Sequence, residues 1–143
     1  MKNTKKLLKG FTLIELLVVM GILALLLAIT LIAINPAKQL GDAATTSQKS
    51  NATQILNAIS QYQADFTGTP PSGITTSVLP ISKAGADICS LLVPKYIAAL
   101  PNNAGDPVTE AQCSTSYTTG FSVVKGASDN RITVSIGSIS VMR

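Results

Sequence analysis

Gly10-Phe11-Thr12-Leu13-Ile14-Glu15-Leu16-Leu17-Val18-Val19-Met20 opens an apolar run that continues without a second charge to Ile34. The 24 residues from Phe11 to Ile34 carry one ionisable side chain, Glu15. As a helix they would extend about 36 Å at about 1.5 Å per residue, enough to cross the hydrocarbon core of a bilayer. An unpaired carboxylate near the start of such a span costs several kcal/mol in hydrocarbon unless a partner neutralises it. Glu15 therefore calls for a cation. The span holds none, and the nearest preceding lysine, Lys9, lies on the far side of Gly10.

The phrase Lys9-Gly10-Phe11-Thr12-Leu13-Ile14-Glu15 resembles the class III signal of type IV prepilins and type II secretion pseudopilins. The resemblance implies that a membrane-embedded aspartyl peptidase cuts between Gly10 and Phe11 and methylates the new α-amino group of Phe11. It implies also that Glu15, fifth in the mature chain, pairs with the N-terminal amine of a neighbouring subunit. Glu15 would then set register in a growing filament while the apolar helices supply most of the cohesion. The residue types suit that chemistry: Gly10 offers a protease groove bare backbone, and the cut creates the cation that Glu15 lacks. A plain signal anchor would take the same orientation under the positive-inside rule but has no use for Glu15. A secretory signal peptide would have a shorter apolar region and an Ala-x-Ala-like site after it, and no such site follows.

Charge reads differently once the leader is set aside. The formal net charge is +4, but Lys2, Lys5, Lys6 and Lys9 precede the cut, so seven basic side chains remain against seven acidic ones. With no basic cluster, direct nucleic-acid binding is not expected. The two cysteines, Cys89 and Cys113, stand in the part that would be exported, and an even count there favours a disulfide over two free thiols. There is no histidine, and two separated cysteines cannot close a zinc tetrahedron. Neither a cofactor nor a metal is expected, and the scattered carboxylates Asp42, Asp65, Asp87, Asp106, Glu110 and Asp129 read as surface or turn residues. Enzymatic activity is not expected.

The chain divides on this reading into a leader (1–10), a transmembrane or filament-core helix (11–34) and a head (35–143). Gly21, Ala24 and Ala28 offer small positions where helices can approach. At Pro36 the helix loses a backbone hydrogen bond and bends. The stretch from Ala37 to Ser50, with Gly41 and Thr45-Thr46-Ser47, has modest helix propensity, and any segment that melts in a filament belongs there. From Ala52 the signal strengthens, because Ala52, Ile55, Leu56, Ile59, Tyr62 and Phe66 recur every three or four residues on one face. Gly68 to Gly73, with Pro70 and Pro71, ends the helix.

Residues 74–107 are least readable. Asp87 could cap a short helix through Leu92. Leu92-Val93-Pro94-Lys95-Tyr96-Ile97-Ala98-Ala99-Leu100-Pro101, followed by Asp106-Pro107, is similar to the passage between helix and sheet in many pilins and pseudopilins. Major pseudopilins bind calcium near such loops, but Asn102, Asn103, Asp106 and Glu110 supply few carboxylates for that ion, and turn formation suits them better. Tyr117 to Lys125 and Arg131 to Ile136 read as strands joined by the five-residue loop from Gly126 to Asn130. Ile139 and Val141 suggest a third.

The expected fold is α+β: a long N-terminal helix, membrane-spanning in its first half and amphipathic in its second, broken near Pro36 and packed on a small C-terminal antiparallel sheet. The family resemblance implies a structural subunit of a pilus-like filament serving adhesion, motility or DNA uptake. A type II secretion pseudopilin is the alternative, and a monomeric anchored binding module the reading from another class. The implied partners are further copies of the chain, the prepilin peptidase and methyltransferase, the pilus or secretion assembly machinery, and the bilayer before assembly. The implied location is the cytoplasmic membrane, single pass with the N-terminus inside, and then an extracellular pilus or periplasmic pseudopilus. The loops Pro70 to Ala86 and Ala104 to Ser116 are expected to face solvent.

Overall fold

Leucine, isoleucine and valine dominate the residues after Thr12, and in the computed structural model, which describes residues 10–33 and 35–143, they form the first helix, α1 (Leu13–Ala33). The readings made on residues 1–9 and on Ile34 fall outside the described residues. The chain separates into two units, one reaching Gly41 and the other running from Asp42 to Arg143.

Within the first unit α1 stops at Ala33 and a second helix, α2 (Pro36–Asp65), starts afresh. Asn35 is the start signal. Its Oδ1 accepts the Lys38 N–H at 3.3 Å and its carbonyl accepts the Gln39 N–H at 3.3 Å. Pro36 follows at the first helical position, where its fixed φ is favourable and its missing N–H costs nothing. The break expected at Pro36 is thus a stop and a restart. The weak-propensity stretch from Ala37 to Ser50 is helical throughout. Its hydroxyls do not unwind it: Thr46 Oγ1 donates to the Asp42 carbonyl at 2.8 Å, and Thr53 Oγ1 beyond it donates to the Lys49 carbonyl at 2.8 Å. These side chains bond backward along the helix instead of competing for it.

In the second unit the expected apolar face of α2 becomes core. Ala52, Ile55, Leu56, Ala58 and Ile59 are buried in one cluster with Ile81, Phe121, Val123, Ile132 and Val134 from the sheet. At about 1.5–3 kcal/mol for each fully buried Ile, Val or Phe, this cluster is the main source of the unit's stability. Phe66 departs from the expectation. It is 48% exposed and stacks on Tyr62, with ring centroids 4.4 Å apart. Asp65, at the end of α2, accepts hydrogen bonds from Lys95 Nζ and Tyr96 OH, each at 2.8 Å. Thr67 (φ 52°) and Gly68 (φ 86°) then turn the chain away, and the Gly68 N–H reaches the Gln63 carbonyl at 2.7 Å.

The sheet is antiparallel in the order β1 (Leu79–Ser82), β2 (Thr118–Lys125), β3 (Ile132–Ile136), β4 (Ile139–Met142). β3 and β4 are joined by Gly137-Ser138, with Gly137 at φ 54°. β1 corrects the solvent-facing reading of Pro70 to Ala86: Pro71, Ile74, Ile81 and Ala86 are all buried. Opposite the Pro80-to-Ser82 step, β2 runs from Ser122 to Thr118, four residues against two. The surplus forms a bulge, and because it is an even number the inward alternation of Thr119, Phe121 and Val123 survives. Thr119, fully buried, fills the gap in the ladder: its Oγ1 donates to the Ile81 carbonyl at 3.0 Å and accepts the Phe121 N–H at 3.2 Å.

Two one-turn helices, α3 (Cys89–Leu92) and α4 (Glu110–Cys113), complete the unit. A disulfide joins them, with Cα atoms 5.3 Å apart. Asp87 does not cap α3, whose N-cap is Ile88 with no side-chain bond. Its carboxylate is engaged by Lys83 and Tyr117 instead. Leu100 and Val108 exchange backbone hydrogen bonds at 2.9 and 2.8 Å, closing the Asn102 turn, in which Asn102 Oδ1 accepts the Ala104 N–H at 3.0 Å.

Candidate functional site

The first turn of α1 is built by Thr12 and Glu15. Thr12 donates to Glu15 Oε2 through its N–H at 2.8 Å and its hydroxyl at 2.7 Å, and the Glu15 N–H returns to Thr12 Oγ1 at 3.3 Å. This is a capping box, in which the residue before the helix and the third residue within it satisfy each other's orphan groups. The carboxylate that asked for a cation is held at the helix start by neutral donors. Thr12 is thus the partner of Glu15 that the reading from sequence did not single out, although the Thr-x-x-Glu spacing before an apolar run is the signature of such a box.

Gly10 and Phe11 precede the box and are exposed, Phe11 at 84%. The structure places Gly10, Phe11 and Glu15 in one short stretch. Phe11, Ile14, Glu15, Val18 and Val19 border a common shallow hollow. Beyond it none of the 21 residues of α1 is buried. Among the described residues α1 is the helix long and apolar enough to cross a membrane. Pro36 lies past the far end of α1, and Cys89 and Cys113 belong to the other unit.

Around the disulfide, polar groups tie loops together. Lys83 Nζ contacts Asp87 Oδ2 at 2.8 Å and donates to the Cys113 carbonyl at 3.2 Å. Tyr117 OH donates to Asp87 Oδ1 at 2.9 Å and accepts the Cys89 N–H at 3.2 Å. Burial first, and then the adjoining Asp87 carboxylate, push the Tyr117 phenol up to about 12 against the opposing Cys89 N–H. At the end of α2 the hydrogen bonds from Lys95 and then Tyr96 hold the Asp65 carboxyl below its ordinary value, and Asp65 in turn raises Lys95. The ammonium, carboxylate and phenol at each place are spent on backbone or on one another. A groove of about 730 Å³ beside Lys83 and Tyr117, lined also by Asn102, Asp106 and Gln112, is open to solvent. Gln112 forms a second capping box with Thr109. Among the described residues no three His, Cys, Asp or Glu side chains gather as a metal site would require.

Residues 6–31 match the model of the prokaryotic N-terminal methylation motif. That motif is characteristic of the type IV pilin and pseudopilin superfamily, and here it covers Gly10, Phe11, the Thr12–Glu15 box and most of α1. No curated protein and no solved structure matches the chain.

Proposed function

We propose that this chain is the structural subunit of a type IV pilus-like filament, matured by cleavage between Gly10 and Phe11 and by N-methylation of Phe11. The observation that carries the reading is a coincidence of position: the methylation motif at 6–31 lies on a capped apolar helix, wholly exposed in the isolated chain, whose one carboxylate is Glu15. Such a helix needs a solvent other than water. A bilayer supplies it first, and the same helices of neighbouring copies supply it afterwards. Heterologous contacts between identical subunits that do not close into a ring produce an open helical polymer. After the cut, the Phe11 amine of one subunit can meet the Glu15 carboxylate of the next, which fixes register. The peptidase and methyltransferase and an assembly machine in the cytoplasmic membrane are the partners this requires.

The passage from Leu92 to Pro101 with Asp106-Pro107 favours a second reading, a pseudopilin of a secretion system, with the same maturation and a shorter periplasmic fibre. Mass spectrometry of the N-terminal peptide, from the sheared surface fraction and separately from membranes of the native cell, tests both. N-methylated Phe11 in the sheared fraction is expected for a pilus; the same species confined to membranes would indicate the pseudopilus. A chain still beginning at Met1 in both fractions would overturn the proposal. Replacing Glu15 with Val is expected to leave processing intact and to slow polymerisation, and a wild-type rate would rule out the registry role.

A further inference from the structure

Cys89 and Cys113 are joined by a second connection that contains no sulfur. The Cys89 N–H donates to Tyr117 OH at 3.2 Å, and that hydroxyl donates to Asp87 Oδ1 at 2.9 Å. Lys83 Nζ then binds Asp87 Oδ2 at 2.8 Å and donates to the Cys113 carbonyl at 3.2 Å. The circuit begins on the backbone of one half-cystine and ends on that of the other. Lys83 and Tyr117 are also tied directly, since the Lys83 N–H donates to the Tyr117 carbonyl at 3.1 Å.

Each cysteine segment is held from behind as well. Ile88, Cys89, Leu92 and Val93 are buried in the apolar core, and the Thr109–Gln112 capping box shapes the turn that ends at Cys113. The cysteines are separated by 24 positions, a loop whose ends a flexible chain would rarely bring together. Here the Leu100–Val108 bridge already folds that loop back on itself. Two of the circuit's links carry the Lys83 ammonium, and charge-assisted bonds in a chain strengthen one another.

We propose that this circuit positions the two thiols before they are joined, so that the head takes its fold with both cysteines reduced and the disulfide closes afterwards in place. The covalent step is an exchange with a disulfide from outside the chain. That reagent loses its S–S bond, takes up two electrons and two protons from the Cys89 and Cys113 thiols, and leaves as a dithiol while the new S–S bond forms. Cys113 borders a cavity of about 530 Å³, open to solvent and flanked by Ser90, Glu110 and Ser114, which gives a small oxidant its approach. Lys83, Asp87 and Tyr117 are positioning residues and exchange nothing with sulfur. The proposal concerns the head alone and does not depend on filament assembly.

Two measurements on the full chain in detergent micelles test it. In the first, the amide spectrum of the reduced chain is expected to keep the dispersed signals of residues 83–117. Their collapse on reduction would overturn the proposal. In the second, the chain is equilibrated with mixtures of dithiothreitol and its cyclic disulfide, which reads the effective concentration of one thiol at the other. The folded chain is expected to exceed the urea-unfolded chain by about 100-fold or more, since a flexible loop gives values only on the order of millimolar. Lys83→Met and Asp87→Asn should each lower the folded value about ten-fold, while their oxidised forms keep the wild-type spectrum. Asn57→Ala, which removes a bond to Arg143 and touches neither cysteine, should leave the value unchanged. A value unaltered in both circuit variants, or lowered equally by Asn57→Ala, would refute the positioning role.

Discussion

α1 leaves every one of its residues uncovered, whereas the 42–143 unit gathers an apolar core and leaves no buried side-chain polar atom among the described residues without a partner. The contrast is one of where each region finds its solvent. The head carries its own: Thr119 mends the bulge in β2, the Ser82–Ala86 turn closes β1, and a disulfide fastens α3 to α4. For α1 the polar groups are resolved internally, by the Thr12–Glu15 box at its start and by the Thr30 hydroxyl on the Leu27 carbonyl. Its long apolar remainder gains nothing from water, since each Leu, Ile or Val that becomes covered is worth about 1.5–3 kcal/mol. The head thus has an apolar core of its own, and α1 has none within the isolated chain.

Substitutions can break that contrast from either side. The largest effect is expected from Gly10→Val, which should stop cleavage altogether and leave a full-length membrane protein with an unaltered head. Intact mass and circular dichroism of the purified variant check both halves, and normal maturation would show that the cut lies elsewhere. Next is Thr119→Val, which preserves shape but orphans the Ile81 carbonyl and the Phe121 N–H in the core. About 2–4 kcal/mol of head stability should be lost in urea unfolding, while N-terminal processing continues. Unfolding that affected processing equally would mean the two regions are not independent.

A smaller effect follows from Tyr117. Its phenol titrates at about 12 in the folded head against an ordinary value of about 10. Below pH 10 both states keep the proton and the contribution to stability is complete. Between pH 10 and about 12 the unfolded chain releases the proton first, so stability falls as pH rises. Tyr117→Phe should flatten that alkaline decline relative to wild type, read from urea midpoints at successive pH values; parallel curves would assign the decline to other groups. The smallest effect has the opposite sign. Thr67 is a β-branched residue held at φ 52°, and Thr67→Gly should stabilise the head by about 1 kcal/mol by removing that strain. A melting temperature that stays level or drops would show that the turn has some other use for threonine.

Much of this molecule was legible because it follows simple periods. The apolar run after Glu15, the Ala52–Ile59 face and the alternation of Ile132, Val134 and Ile136 each announce their element. β1 was hidden because a proline inside Leu79–Ser82 argues against a strand, and proline is tolerated there only because its carbonyl meets Ala86 at an edge that needs no N–H. α3 and α4, of four residues each, are too short to show a period. Asp87 looked like a cap by position, but Lys83 and Tyr117, neighbours in space and not along the chain, claim its carboxylate. At the N-terminus Glu15 stood out as a charge without a partner, while Thr12 passed as one more residue of the signal until the box placed its hydroxyl on the carboxylate.

The Cys89–Cys113 bond closes a covalent ring around the exposed Asn102–Pro107 turn. A protease that nicks the chain there makes two polypeptides but does not part them: the piece bearing α1 and the piece bearing β2 to β4 stay linked through sulfur, and the Leu100–Val108 bridge holds the cut ends in place. Damage at this exposed turn of the head would thus be silent on a non-reducing gel and visible only once the disulfide is reduced. The filament proposed above, built of such subunits, would lose peptide bonds to its surroundings without losing length.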